Sequence, residues 1–150
     1  MNLNVYEFHA QWTVPADFDT TFAVLRDLRT YARWWPEVKS VIPVNEDRAV
    51  VLIMGVLPYS LEFLMDKVVD DASTGVLRAG LSGDLEGFSS WTVKPEGSGC
   101  RLIYEQQVEV TKRLLQVLAP VARPLFRLNH HLMMSRGEKG LRSYLASIST

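Results

Sequence analysis

Residues 18–36 read FDTTFAVLRDLRTYARWWP, and this stretch decides how the rest of the chain is interpreted. Asp17 stands just before it and is a residue type that caps helices. Phe22 and Leu25 follow at helical spacing, and a second helical turn runs up to two tryptophans before Pro36. The stretch therefore predicts two short helices in succession, with large aromatic side chains at the end of the second.

The segments on either side have the period of β-strands. Before the helices, residues 6–14 alternate between apolar and polar types and stop at Pro15. After them, residues 38–110 divide into runs of about 7 to 12 residues, separated by turn signals. Those signals lie at residues 45–47, 55–58, 70–75, 82–84 and 95–99. The pattern predicts six further strands in an antiparallel meander, with one apolar and one polar face.

The last 35 residues or so predict a long helix, kinked or restarted near its beginning by Pro120 and Pro124. At 100° per residue, an inner face is predicted with Asn129, His130, Gly140 and Leu141 at its edges. The residues expected to form that face are Phe126, Met133, Gly137, Tyr144 and Ile148. The polar residues expected on the opposite face are Arg127, His131, Glu138 and Arg142.

The order of elements, the segment YARWWP at residues 31–36 and the helix segment 127–141 resemble the START-like or helix-grip (SRPBCC) superfamily. The resemblance is to its polyketide cyclase/dehydrase and lipid-transport group. It implies an α+β helix-grip fold, in which a curved seven-stranded antiparallel sheet wraps around the long C-terminal helix. Two short helices lie between strands 1 and 2. The resemblance also implies an apolar cavity between sheet and helix.

Length and composition favour one domain over residues 1–150, because 47% hydrophobic and 22% charged residues are ordinary globular proportions. A single cysteine, Cys100, and no signal peptide or membrane span lead us to expect a cytoplasmic protein. Charge is uneven: residues 1–110 carry −7 and residues 111–150 carry +6. Without a nucleic-acid-binding motif beside the basic residues, we expect no nucleic-acid partner.

Side chains with inward strand parity, or on the inner helix face, are the expected ligand-binding residues. They are Phe22, Trp35, Leu61, Phe63, Leu77, Ser89, Trp91, Tyr104, Gln106, Asn129, His130, Met133, Gly137 and Tyr144. Gly137 is expected to leave space for a ligand or for a strand that approaches closely. An apolar pocket with a few placed hydroxyl and amide groups is typical of small-molecule sites. The favoured hypothesis is a protein that binds a small hydrophobic ligand such as a lipid, an isoprenoid or a polyketide-like compound.

An enzyme remains an alternative. His130, Tyr104 and Tyr144 are the candidate acid-base groups for a polyketide cyclase or dehydratase. For His130 itself, a structural role at the cavity edge is favoured over an acid-base role. One cysteine and three poorly spaced histidines do not form a metal motif, so we expect neither a metal nor a cofactor.

A second apolar stripe is not explained by a helix gripped by one sheet. Five leucines and one valine recur at intervals of four and three residues, on a different side of the predicted helix from Met133. The stripe consists of Leu114, Leu118, Val121, Leu125, Leu128 and Leu132. Three hypotheses stay open: core covered by short helices and loops, a homodimer seam, or a peripheral membrane contact through Leu118, Leu125 and Leu132. The last two would make the protein an interaction module.

Overall fold

The computed structural model describes residues 3–55 and 59–148. The chain begins with strand β1 (Val5–Val14), helix α1 (Phe18–Arg26), a 3₁₀ turn (Leu28–Thr30) and helix α2 (Tyr31–Trp34). Six strands follow: β2 (Val38–Pro43), β3 (Arg48–Met54), β4 (Ser60–Asp71), β5 (Val76–Gly83), β6 (Leu85–Glu96) and β7 (Gly99–Val110). Helices α3 (Arg113–Val117) and α4 (Ala119–Ile148) end the described chain. The predicted order is confirmed, with α3 as an added short helix.

The seven strands form one antiparallel sheet in the order β1-β7-β6-β5-β4-β3-β2. Pairing of β1 with β7 brings the first strand beside the last, which leaves β1 and β2 as the two edges. Register shifts occur between Val38 and Ser40 and between Lys67 and Val69, and such bulges bend a strand. The turn predicted at residues 55–58 lies partly outside the described residues.

Helices α1 and α2 are positioned by local hydrogen bonds and by aromatic packing. The Asp17 carboxylate accepts a hydrogen bond of 2.8 Å from the Thr20 amide, which is the predicted N-cap. The Tyr31 hydroxyl at the start of α2 donates to the Leu25 carbonyl at 2.7 Å. Trp34 is buried and packs edge-on to Trp12 of β1. This ties the two helices to each other and to one end of the sheet.

The predicted inner face of α4 is wrong in its second half. Leu141 and Leu145 are fully buried there, whereas Tyr144 is half-buried and Ile148 is exposed. From Asn129 onward the buried positions recur every four residues, which is more than one helical turn of 3.6. The buried line therefore winds around α4, because the first half faces the cavity and the second half packs on β1 and α2.

A buried carboxylate that the sequence analysis did not single out lies between α2 and α4. Glu37 is only 2% exposed, and its Oε2 lies 3.2 Å from the guanidinium of Arg136 on α4. The other oxygen, Oε1, has no hydrogen-bond partner among the described residues. Removing Arg136 would leave this carboxylate buried and uncompensated, so the pair holds α4 in place against the start of β2.

Candidate ligand-binding cavity

A cavity of about 120 Å³ lies between the inner face of the sheet, the first half of α4 and the segment from α1 to α2. Its wall is mostly apolar because inward positions of β3 to β7 carry Val, Leu, Phe, Met and Trp. Helix α4 contributes Phe126, Asn129, His130, Met133 and Met134. Among the described residues that line the cavity, none is acidic. This arrangement suits an apolar molecule with few polar groups.

Eleven of the fourteen expected ligand-binding residues line this cavity. They are Trp35, Leu61, Phe63, Leu77, Ser89, Trp91, Tyr104, Gln106, Asn129, His130 and Met133. Strand parity located those on the sheet, because register partners share a face: Leu77 pairs with Trp91, and Ser89 pairs with Gln106. Phe22, Gly137 and Tyr144 do not line it.

Gly137 gives space to a tryptophan and not to a ligand, which corrects the expectation. A Cβ at this position would lie 2.6 Å from Cε2 of Trp35 and 2.9 Å from Cη2 of Trp12. The missing side chain lets the indole of Trp35 lie against α4, where its Nε1 donates to the Met133 carbonyl at 2.9 Å. Trp35 also lines the cavity, so it closes the wall next to Gly137.

Phe22 and Tyr144 are displaced from the cavity for different reasons. Phe22 is buried in the core and stacks on Phe18, with ring centroids 5.4 Å apart. Leu25, one turn later, lines the cavity instead. Tyr144 lies in the second half of α4, where the buried line has wound toward Leu141 and Leu145. It is therefore separated from the two other candidate acid-base groups.

His130 is held by its two neighbours on the sheet. Phe8 of β1 and Gln106 of β7 are register partners, so their side chains lie next to each other on the inner face. The His130 ring stacks on Phe8 with centroids 3.5 Å apart, and its Nε2 lies 2.9 Å from Gln106 Oε1. An amide oxygen only accepts, so this contact assigns the proton to Nε2 and leaves Nδ1 as the acceptor.

Burial keeps the His130 ring neutral. Desolvation, followed by the nearby charge of His131, lowers its pKa from 6.5 to about 4. No acidic side chain among the described lining residues offsets this cost. At neutral pH the ring is a hydrogen-bonding group of low basicity.

The tyrosines at the cavity are also kept neutral. Burial raises the pKa of Tyr104, while its hydrogen bond with Ser89 opposes that shift. Burial likewise raises the pKa of Tyr31, whose hydroxyl accepts a hydrogen bond of 3.1 Å from Trp91 Nε1. Burial raises the pKa of Tyr59 to about 12, and its hydroxyl accepts a 3.3 Å bond from Asn129 Nδ2. The polar groups mostly satisfy one another, which lowers the cost of an apolar interior.

Charged residues at one end of the cavity wall were not predicted. Arg26 of α1 and Lys67 of β4 line this end, and both contact Asp70 Oδ2, at 2.9 Å and 3.2 Å. Lys67 has the same strand parity as Leu61 and Phe63, and parity is the signal that placed those two inward. The bulge after Lys67 brings Asp70 within reach, and no feature of the sequence indicated that contact.

Two further structural findings bear on the candidate chemistry. Across residues 3–55 and 59–148, no group of three or more His, Cys, Asp or Glu side chains is arranged to hold a metal ion. None of the helices in that part of the chain has the length and apolar character needed to cross a membrane.

Known structures share this fold at low sequence identity. The protein TTHA0849 from Thermus thermophilus superposes with a TM-score of 0.84 at 20% identity, covering 97% of this chain and 100% of that one. A START superfamily protein from Mycobacterium smegmatis gives a TM-score of 0.73 at 15% identity, covering 96% and 98%. The Zhui aromatase/cyclase from a Streptomyces species, strain R1128, gives 0.73 at 12% identity, covering 97% and 96%. The helix-grip fold implied by the sequence resemblance is thereby confirmed.

Family membership follows from the sequence itself. No curated protein sequence matches the chain at a significant level. The family model for polyketide cyclase / dehydrase and lipid transport matches residues 6–142, from the first strand to the second half of α4. That span includes the sheet, both short helices and the cavity. The chain therefore belongs to the polyketide cyclase/dehydrase and lipid-transport family.

Proposed function

We propose that the protein binds a small hydrophobic ligand, of the lipid, isoprenoid or polyketide-like class, in the cavity between the sheet and α4. The observation that carries the proposal is the mostly apolar wall, whose polar side chains are largely bonded to one another. Burying apolar ligand surface there contributes about 25 cal/mol per Å² before the costs of association. Family membership is consistent with this function but does not identify the ligand.

A fluorescent fatty-acid analogue is the first probe. We expect it to bind with a Kd in the micromolar range, near −8 kcal/mol. Ala79 lines the cavity and pairs with Ser89 across β5 and β6, so Ala79→Phe should fill the space and weaken binding at least about tenfold. Ala146→Phe, the same change at an exposed position of α4, is the matched control and should leave binding unchanged.

Native mass spectrometry of protein purified from its own host identifies any retained ligand. Failure of the probe to bind at millimolar concentration, with no retained ligand, would contradict the proposal. Equal weakening by Ala79→Phe and Ala146→Phe would place the binding site elsewhere.

A cyclase or dehydratase is the second candidate, favoured by one observation. His130 presents a neutral ring with Nδ1 as an acceptor beside Gln106, inside the cavity. A pKa of about 4 makes it a weak general base at neutral pH, which is why binding without turnover ranks first. Once a retained ligand is identified, conversion by wild type but not by His130→Gln, with binding retained in both, would support the enzyme.

A further inference from the structure

The outer side of α4 carries an apolar line that nothing in the described chain covers. Its members recur at intervals of four, three and four, and we call them the outer apolar line: Val121, Leu125, Leu128 and Leu132. Their exposed fractions run from 37% to 75%. Leu114, Val117 and Leu118 of the preceding segment are exposed as well. The hypothesis that short helices and loops cover this stripe is therefore wrong.

Exposed apolar side chains are concentrated in this segment. Of the twelve large hydrophobic residues that are exposed in the described chain, seven lie between residues 114 and 132. The other five are scattered over the sheet, its loops and the end of α4. Single exposed apolar residues are normal, but a line of them on one helix marks a contact surface.

The charge around the outer apolar line is basic. Residues 110–137 contain no Asp or Glu, and residues 111–150 hold seven Lys or Arg against one acidic residue. Lys112 and Arg123 are tied to the carbonyls of Ser60 and Leu3, whereas Arg113 and Arg127 are exposed. The rest of the chain carries −7, so the molecule presents a cationic face on an acidic body.

From this combination we propose that the outer side of α3 and α4 docks on the surface of an anionic phospholipid bilayer. The outer apolar line would enter the boundary between headgroups and acyl chains, while Arg113 and Arg127 contact lipid phosphates. A second copy of the chain fits less well. A two-fold dimer through this face would place two basic surfaces against each other. The acidic remainder of the chain favours docking by this face over others.

The same turns of α4 also form the cavity wall on their inner side. Phe126, Asn129, His130 and Met133 line the cavity, whereas Leu125, Leu128 and Leu132 point away from it. Helix α4 would then separate the bilayer surface from this part of the cavity. The docking proposal does not depend on which ligand the cavity takes, and its test needs none.

The test is sedimentation with vesicles of pure phosphatidylcholine or of phosphatidylcholine containing about 30% phosphatidylglycerol. We expect binding to the anionic vesicles at least about tenfold tighter than to the neutral ones. Raising the salt concentration from about 50 to about 500 mM should weaken that binding, because the Debye length shortens. Equal binding to both vesicle types, or no binding to either, would overturn the proposal.

Two pairs of variants locate the contact. The double variant Leu125→Ser with Leu128→Ser should reduce vesicle binding at least about tenfold. The control Ile42→Ser with Val68→Ser, at positions that are also exposed but lie on the sheet, should not. The double variant Arg113→Gln with Arg127→Gln should also reduce vesicle binding about tenfold. Arg33→Gln with Lys94→Gln removes the same charge elsewhere and, as the control, should not.

The oligomeric state in solution shows whether this face binds a bilayer or a second copy of the chain. All these sites are exposed, so each variant should keep its cooperative melting transition. Sedimentation velocity without vesicles should give a monomer for wild type and variants alike. A wild-type dimer that Leu125→Ser with Leu128→Ser turns into a monomer, without vesicle binding by either, would assign the face to a second copy. If the protein fails to bind the fatty-acid probe but still binds anionic vesicles, only the function proposed for the cavity is refuted.

Discussion

The two halves of α4 differ in how closely they pack against the sheet and the α2 segment. In the second half, Gly137 and Gly140 allow the helix to pack directly on Trp35 and on the backbone of Trp34. In the first half, Phe126 and His130 border a cavity, and the outer side is apolar and exposed. One helix thus packs tightly as a support at one end and forms the wall of the cavity at the other.

From this difference we expect substitutions in the two halves of the helix to have different effects. Substitutions in the second half should act through close packing, because neighbouring atoms there leave no room for an added methyl group. Substitutions in the first half should act on ligand or bilayer binding while the fold survives. The predictions below test either the tight packing of the second half or the buried cavity wall to which the first half contributes.

The largest expected effect is that of Gly140→Ala. A Cβ there would overlap the carbonyl oxygen of Trp34, which is backbone and moves only if the whole α2 segment moves. We expect a loss of about 3 kcal/mol or more in the free energy of unfolding, measured by urea denaturation. Ser135→Ala, at an exposed position of the same helix, is the control and should stay within about 0.5 kcal/mol. Similar values for both variants would remove the distinction between tight and open packing.

The next effect is the pH dependence that His130 imposes on stability. Its pKa is lowered from 6.5 to about 4 in the folded chain, so the unfolded chain binds more protons between these values. The protein should therefore lose stability as the pH falls from 6.5 to about 4, by about 3 kcal/mol. Urea unfolding at neutral pH and near the lower end of that range measures this loss.

His130→Gln provides the comparison, because it removes the titrating group and retains a polar side chain. The variant should show a smaller loss of stability over the same pH range than wild type. A direct NMR titration of the His130 ring is the second measurement. A pKa near the ordinary histidine value of about 6.5 would mean that the ring is solvated and does not form part of a closed cavity wall.

How far the sequence predicts the site depends on whether the signal is local. Strand parity located Leu61, Phe63, Trp91 and Gln106 on the inner face, because the period of two persists along a regular strand. Helical phase failed for Tyr144, because the winding of the buried line depends on how α4 crosses its neighbours. That crossing is a property of the assembled fold and leaves no trace in a single helix sequence.

Glycines show the same limit of prediction from sequence alone. The sequence marks Gly137 as a place where a side chain is missing, but not what occupies the space. A ligand and the indole of Trp35 are equivalent explanations until the α2 segment is seen to pack there. Lys67 illustrates the reverse case. Its parity matches the inner face although it was not predicted to lie there, and its partner Asp70 is reached only across an irregular step in β4.

The smallest effect is expected for Tyr144→Phe, set against Tyr104→Phe. Tyr104 is buried and lines the cavity, so loss of its hydroxyl should cost about 1 kcal/mol in stability and change the affinity for the fatty-acid probe severalfold. Tyr144 lies outside the cavity, and its change to Phe should alter stability by no more than about 0.5 kcal/mol and leave probe affinity unchanged. Chemical denaturation and probe titration of the two variants decide this. If Tyr144→Phe weakened probe binding as much as Tyr104→Phe, the cavity would have to extend into the second half of α4, and the division of the helix into a support and a cavity wall would fail.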